Sequence, residues 1–201
     1  MSEGGDTYIS PNFAKGLRQL TTDLGIYFIV DEVQTGVCTS GDFWAHDHWN
    51  LPSPPDFVTF AKKMQSAGFY SVEELTELTP YRHFNTFLGD PVRGLITATQ
   101  NKVIAENELS KNAKETGEYL QTALIALESK YPDFIQNVRG RGTFIAYDAK
   151  DAASRDALGA ALRKQGVNQG GCGTHTARLR PALYFTKKHA DIYLDRLEKA
   201  I

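Results

Sequence analysis

Cysteine is scarce in this 201-residue sequence: there are two, Cys38 and Cys172. Two thiols so far apart build neither a disulfide framework nor a zinc-type spacing, and they suit a reducing compartment. Histidine is scarce as well, and the five present form no metal motif. His46 and His48 stand two apart in WAHDHW, but no further ligand lies near them, so they read as part of an aromatic-rich loop. No charge of one sign is in excess, and the formal net charge of -2 removes the electrostatic case for nucleic acid or an anionic membrane as partner. No apolar run is long enough to span a bilayer. Repeats and low-complexity segments are missing too. The first ten residues, MSEGGDTYIS, lack the three regions of a signal peptide and the arginines of a transit peptide. They read as a loop from the middle of a domain, which suggests an incomplete chain.

What remains is ordinary globular composition. Hydrophobic residues make up 41% and charged ones 23%, enough for one large domain or two small ones. The run Tyr27-Phe28-Ile29-Val30, followed by Asp31 and Glu32, reads as a strand buried on both faces of a parallel sheet. Ligands of such sheets sit beyond the carboxyl ends of the strands, where Asp31 stands. The run alone leaves two readings of Asp31: a working carboxylate, or a cap on the following turn.

Around this stretch the chain alternates. Phe13, Leu17, Leu20 and Leu24 predict a helix over 11–24, with Ser10 as N-cap, Pro11 as first helical residue and Gly25 as terminator. Residues 35–55 form a long loop with Phe43, Trp44 and Trp49, and loops of that length tend to be functional. A second apolar strand, Asp56 to Ala61, ends in Lys62 and Lys63. Residues 72–89 are loop again. Asp90 and Pro91 open a helix that breaks between Glu106 and Leu109, and a second helix runs from Ser110 to about Lys130. Val138 to Tyr147 predicts a strand entered through glycines. Residues 152–165 predict a helix closed by Gly166. Gly170 to Gly173 is a tight loop, Arg178 to Phe185 an edge strand interrupted by Pro181, and His189 to Ile201 a closing helix.

Two neighbouring strand ends would thus offer a carboxylate and an amine to one crevice. Pyridoxal 5'-phosphate needs that combination: a lysine to hold it as a Schiff base, and a carboxylate to keep its pyridine nitrogen protonated. The freed lysine can also carry the proton moved in transamination. An arginine elsewhere would fork a substrate carboxylate. Composition and spacing permit this chemistry without establishing it.

The motifs go further. DEVQTG, FWAHDHW, FAKK, YRHFNTFLGDP, VRGRGTF and GGCG followed by RLRP together resemble the class-III pyridoxal-phosphate aminotransferases. FWAHDHW and FNTFLGDP resemble the 4-aminobutyrate branch of that family in particular. The resemblance implies an α/β fold: the carboxyl-terminal part of a fold-type I large domain, with an incomplete, mainly parallel sheet, plus a small α+β domain. It implies a partial large cofactor-binding domain over residues 1–100, a connecting helical region over 101–130 and the small domain over 131–201.

By position, the resemblance implies that Asp31 pairs with the pyridine nitrogen and that Gln34 hydrogen-bonds near the ring oxygen. It implies that Lys62, preceded by the small Ala61, is the Schiff-base lysine, with Lys63 as rival. Thr86 would bind the cofactor phosphate of the other subunit of a homodimer. Arg178 would hold a substrate carboxylate, and Glu3 would neutralise Arg178 when the substrate lacks an α-carboxylate. Arg139, Arg141 and Arg180 read as structural. The implied reaction passes the amino group of 4-aminobutyrate to 2-oxoglutarate, in mitochondria or cytosol. Lysine ε- or other ω-amino acids are the alternative donors. The family's chains are more than twice as long. The phosphate-cradling turn and the ring-stacking aromatic are missing here, so the isolated chain is expected to be truncated and inactive, or to act only by dimerising with a complete partner.

Overall fold

The computed structural model describes residues 2–76 and 79–201. The chain divides into two compact units, residues 9–37 with 44–107, and residues 1–8 with 38–43 and 108–201.

In the first unit, helix α1 (Pro11–Asp23) begins as expected: Ser10 accepts a hydrogen bond from the Phe13 amide, and proline follows the cap. Strands β1 (Ile29–Asp31) and β2 (Phe57–Phe60) pair in parallel, with Asp31 opposite Thr59. A strand absent from the sequence reading, β3 (Gly68–Ser71), turns back antiparallel onto β2. The order is β1-β2-β3, so among the described residues β1 has an unpaired edge. Phe28, Val30 and Val58 form the small core between sheet and helix. Beneath it lies a polar clasp. Arg18, 8% exposed, forks onto Asp56 at 2.8 and 3.1 Å, and Asp56 also accepts the Phe28 amide at 2.6 Å. Helix α2 (Pro91–Glu106) is capped by Asp90, whose carboxylate accepts the Val92 amide.

Two expectations fail here. β1 is not buried on both faces: Phe28 and Val30 point inward, while Tyr27 and Ile29 are 62% and 59% exposed. The stripe read as the inner face of α1 is also exposed at Phe13, Leu20 and Leu24, and the helix buries Ala14 and Arg18 instead. Among the described residues, nothing covers these apolar surfaces.

In the second unit, α3 (Leu109–Lys130) and α4 (Ala152–Lys164) pack on a four-stranded sheet with α5 (Lys187–Ala200). The segment read as one strand from Val138 is a hairpin, β4 (Gln136–Arg141) and β5 (Phe144–Asp148), because Gly142 at φ 53° turns the chain. Gly170 to Cys172 is not a loop but strand β6, and β7 (Thr176–Leu179) lies between β5 and β6. Pro181 falls beyond the end of β7, so it costs no ladder bond and the strand is interior rather than at an edge. The core gathers Leu120, Leu124, Ile135, Ile145, Leu162 and Leu197 around Tyr147, all fully buried.

Candidate active site

The parallel pairing of β1 with β2 puts two strand ends side by side. Asp31 is solvent-exposed, and its carboxylate accepts the Val33 amide at 2.9 Å. It therefore caps the turn that follows, and its exposure leaves the carboxylate open to a ligand as well. Thr59, opposite Asp31 in register and so on the same face of the sheet, carries a buried hydroxyl with no hydrogen-bond partner among the described residues. An orphaned hydroxyl beside an open carboxylate is what a crevice built for a polar ring would present.

The lysine doublet follows β2. Lys62 is exposed and sits at φ 49°, a left-handed conformation that a side chain of its kind adopts at a cost. Lys63 turns the other way: its ammonium donates to the backbone carbonyl of Gln34, in the turn after Asp31. Its own carbonyl accepts from Gln100 on α2, which fixes the Lys62–Met64 3-10 turn in place. The structure thus brings together Asp31, Gln34, Thr59 and Lys63 at one end of the sheet.

Glu32, the second residue of the Asp-Glu doublet, was not singled out by sequence. It is 2% exposed. Its carboxylate accepts the Thr35 hydroxyl, the His46 amide at 2.8 Å and the His46 ring at 2.9 Å. Burial alone would raise its pKa, but the hydrogen bonds from His46 and Thr35 outweigh it and hold the carboxyl below its ordinary value. This carboxylate ties the turn carrying Asp31 and Gln34 to the 3-10 turn Ala45–Trp49. His46 is thereby explained without a metal.

Thr86 lies exposed in the turn from Asn85 to Gly89, beside the exposed rings of Phe84 and Phe87.

The other unit holds the predicted ion pair. Arg178, on β7, donates to Glu3 at 2.8 Å, and this hydrogen bond raises the arginine pKa further. Glu3 is 74% exposed along its side chain and Arg178 24%, so the pair is reachable from solvent. Arg180, two residues on, donates its Nη2 to both carboxylate oxygens of Asp6. Burial pushes the Cys172 thiol up, away from the thiolate form.

The class-III aminotransferase profile matches residues 1–201, the whole chain. A 4-aminobutyrate aminotransferase of Dictyostelium discoideum is 46% identical over 200 residues, covering all of this chain and 40% of that protein. A mitochondrial 4-aminobutyrate aminotransferase of Sus scrofa is 45% identical, over 96% of this chain and 39% of that one. A solved lysine aminotransferase from M. tuberculosis superposes with a TM-score of 0.94 at 30% identity, over 99% of this chain and 47% of that one. The chain belongs to the class-III aminotransferases, pyridoxal-phosphate enzymes of fold-type I. It spans about 40% of the length of the curated relatives it matches.

Proposed function

We propose that this chain carries the carboxyl-terminal part of a transaminase that moves the amino group of 4-aminobutyrate to 2-oxoglutarate, giving succinate semialdehyde and glutamate. The Glu3–Arg178 pair carries this reading. A donor such as 4-aminobutyrate has one carboxylate, and none on its reacting carbon. Glutamate has a second carboxylate there. A site serving both needs an arginine that is neutralised for the first and released for the second. Glu3 does this by pairing with Arg178 or swinging away, since removing the partner outright would leave the arginine's charge uncompensated. The relatives named for 4-aminobutyrate support the same donor.

Pyridoxal phosphate, when bound, supplies an electron sink for the carbon that loses its proton. This chain would supply part of the remaining machinery. Asp31 would hold a negative charge for the ring nitrogen, Gln34 would hydrogen-bond near the ring oxygen, and Arg178 would bind the substrate carboxylate. Of the two lysines expected at the strand end, we favour Lys63 over Lys62. What supports it is its reach toward the Gln34 turn, while Lys62 points to solvent. Its amine would hold the cofactor and then carry the proton. Thr86, among exposed aromatics, would serve the phosphate of a second subunit in a homodimer. A mitochondrial or cytosolic setting accompanies this reading.

The test joins residues 1–201 to the amino-terminal part of the Dictyostelium relative and compares amino donors. Turnover of 4-aminobutyrate well above lysine and ornithine is expected, and a preference for lysine would overturn the donor. The unjoined chain is expected to show little or no turnover. Borohydride reduction with cofactor, followed by peptide mapping, should place the label on Lys63. Label on Lys62 would reverse that assignment.

A further inference from the structure

The segment that carries Glu3 is held far more firmly than an exposed ion pair requires. Its backbone is gripped at successive carbonyls. The Glu3 carbonyl accepts the Gly173 amide at 2.9 Å. The Gly5 carbonyl accepts from Arg139, and the Asp6 carbonyl accepts Arg139 Nε at 3.1 Å. Arg139 is in turn fixed by Asp148 at 2.8 Å and by the Thr176 hydroxyl. Asp6 is 1% exposed, and both of its carboxylate oxygens accept from Arg180 Nη2 at 2.6 Å. The Arg180 guanidinium lies 3.3 Å from the centroid of the Phe144 ring, which locks it in turn.

The geometry repeats along one line. Arg178 lies on β7 and Arg180 follows one residue past its end, so both guanidinium groups leave the chain close together. Glu3 meets the first and Asp6 the second. Gly173 closes the arrangement from below, since a Cβ there would stand 2.9 Å from the Gly5 Cα. The backbone is held at residues 3, 5 and 6, while the Glu3 side chain is 74% exposed and reaches Arg178.

We propose that Asp6 and Arg180 are positioning residues that set how strongly Glu3 competes for Arg178. They would thereby set the balance between amino donors without an α-carboxylate and partners that bring one. This rests on the Glu3–Arg178 reading of the site and adds to it a latch outside the substrate's reach. A tight latch keeps Glu3 poised at the arginine, which favours the ω-amino donor. A loosened latch lets an incoming carboxylate take Arg178 more readily.

The experiment measures the rate at which phenylglyoxal modifies Arg178 in the 201-residue chain, by peptide mapping, with exposed Arg163 as internal reference. Glu3→Gln should raise the Arg178 rate about threefold or more by weakening a charge-assisted hydrogen bond. Asp6→Asn, which tolerates the left-handed φ of 52° at this position, should raise it in the same direction while Arg163 stays constant. Glutarate, used as a carboxylate probe, should protect Arg178 at a lower concentration in Asp6→Asn than in the unaltered chain. Gly173→Ala strains a left-handed backbone at φ 55° and pushes on Gly4 and Gly5 without touching either charge, and should act likewise. It keeps the test alive if Asp6→Asn does not fold, which hydrogen exchange in β5 reports. If Glu3→Gln raises the rate but Asp6→Asn and Gly173→Ala do not, the latch is wrong and the ion pair stands. If Glu3→Gln itself changes nothing, the reading of the pair fails, and the latch with it.

Discussion

Glu32 is the residue whose environment leaves it least choice. A buried carboxylate is tolerated only when its lone pairs are filled, and here Thr35 and His46 fill them. Glu32→Gln keeps the volume but gives up the charge, and should cost about 1.5–3 kcal/mol in urea denaturation at neutral pH. The pH dependence has a definite sign. The folded carboxyl titrates below its ordinary value, so its contribution is complete above the unfolded glutamate pKa of about 4.3 and fades as the pH falls toward the lowered folded one. The stability gap between the unaltered chain and the Glu32→Gln variant should therefore narrow on acidification below about pH 4. A gap that stays constant with pH would show that the charge contributes nothing. Sequence reading named Asp31 and Gln34 and passed over Glu32, because motif resemblance marks the residues expected to face a ligand. The support behind them is visible only once His46, fourteen positions away, folds back onto Glu32.

Among the elements, those legible in the sequence carry their own start and stop signals. Ser10-Pro11 and Asp90-Pro91 open α1 and α2, and Asp151 caps α4. The misread elements lack such local marks. β3, β6 and the β4–β5 hairpin owe their existence to pairing across the chain, which glycine-rich stretches conceal. Helical glycines give a sharp test of the same distinction. A Cβ on Gly117 of α3 would stand 1.9 Å from the Gly142 carbonyl oxygen. Gly94 of α2 and Gly159 of α4 have nothing within 4 Å. Alanine at Gly94 or Gly159 should stabilise by about 0.5–1 kcal/mol through helix propensity. At Gly117 the same gain is overwhelmed, because backbone must separate from backbone, and a net loss of about 2 kcal/mol or more is expected. Thermal denaturation of the three variants decides it, and a neutral Gly117→Ala would mean that α3 and the hairpin turn do not touch so closely.

At the scale of the whole molecule, the two units differ in how much apolar side chain they bury. The unit containing α3 to α5 encloses a continuous core around Tyr147, whereas the other gathers Phe28, Val30 and Val58 over a polar clasp, with Met64 and Ile104 buried apart from them. Hydrogen exchange should therefore protect amides of β5 and α3 longer than those of β1 and β2. The weaker unit also exposes Leu20, Leu24, Ile26, Tyr27 and Ile29, all more than half open to solvent, next to the unpaired edge of β1. The sequence patterns of α1 and β1 are written for burial that the described residues do not provide. Such a surface should bind an apolar dye and drive self-association. Ile29→Lys adds charge to the open edge and removes an apolar side chain that buries little. It should reduce dye binding and concentration-dependent sedimentation while changing stability by no more than about 0.5 kcal/mol. A loss of about 2 kcal/mol instead would mean that Ile29 is covered in solution by another copy of the chain. Dilution before denaturation distinguishes the two, because stability derived from a second copy falls with protein concentration and intrinsic stability does not.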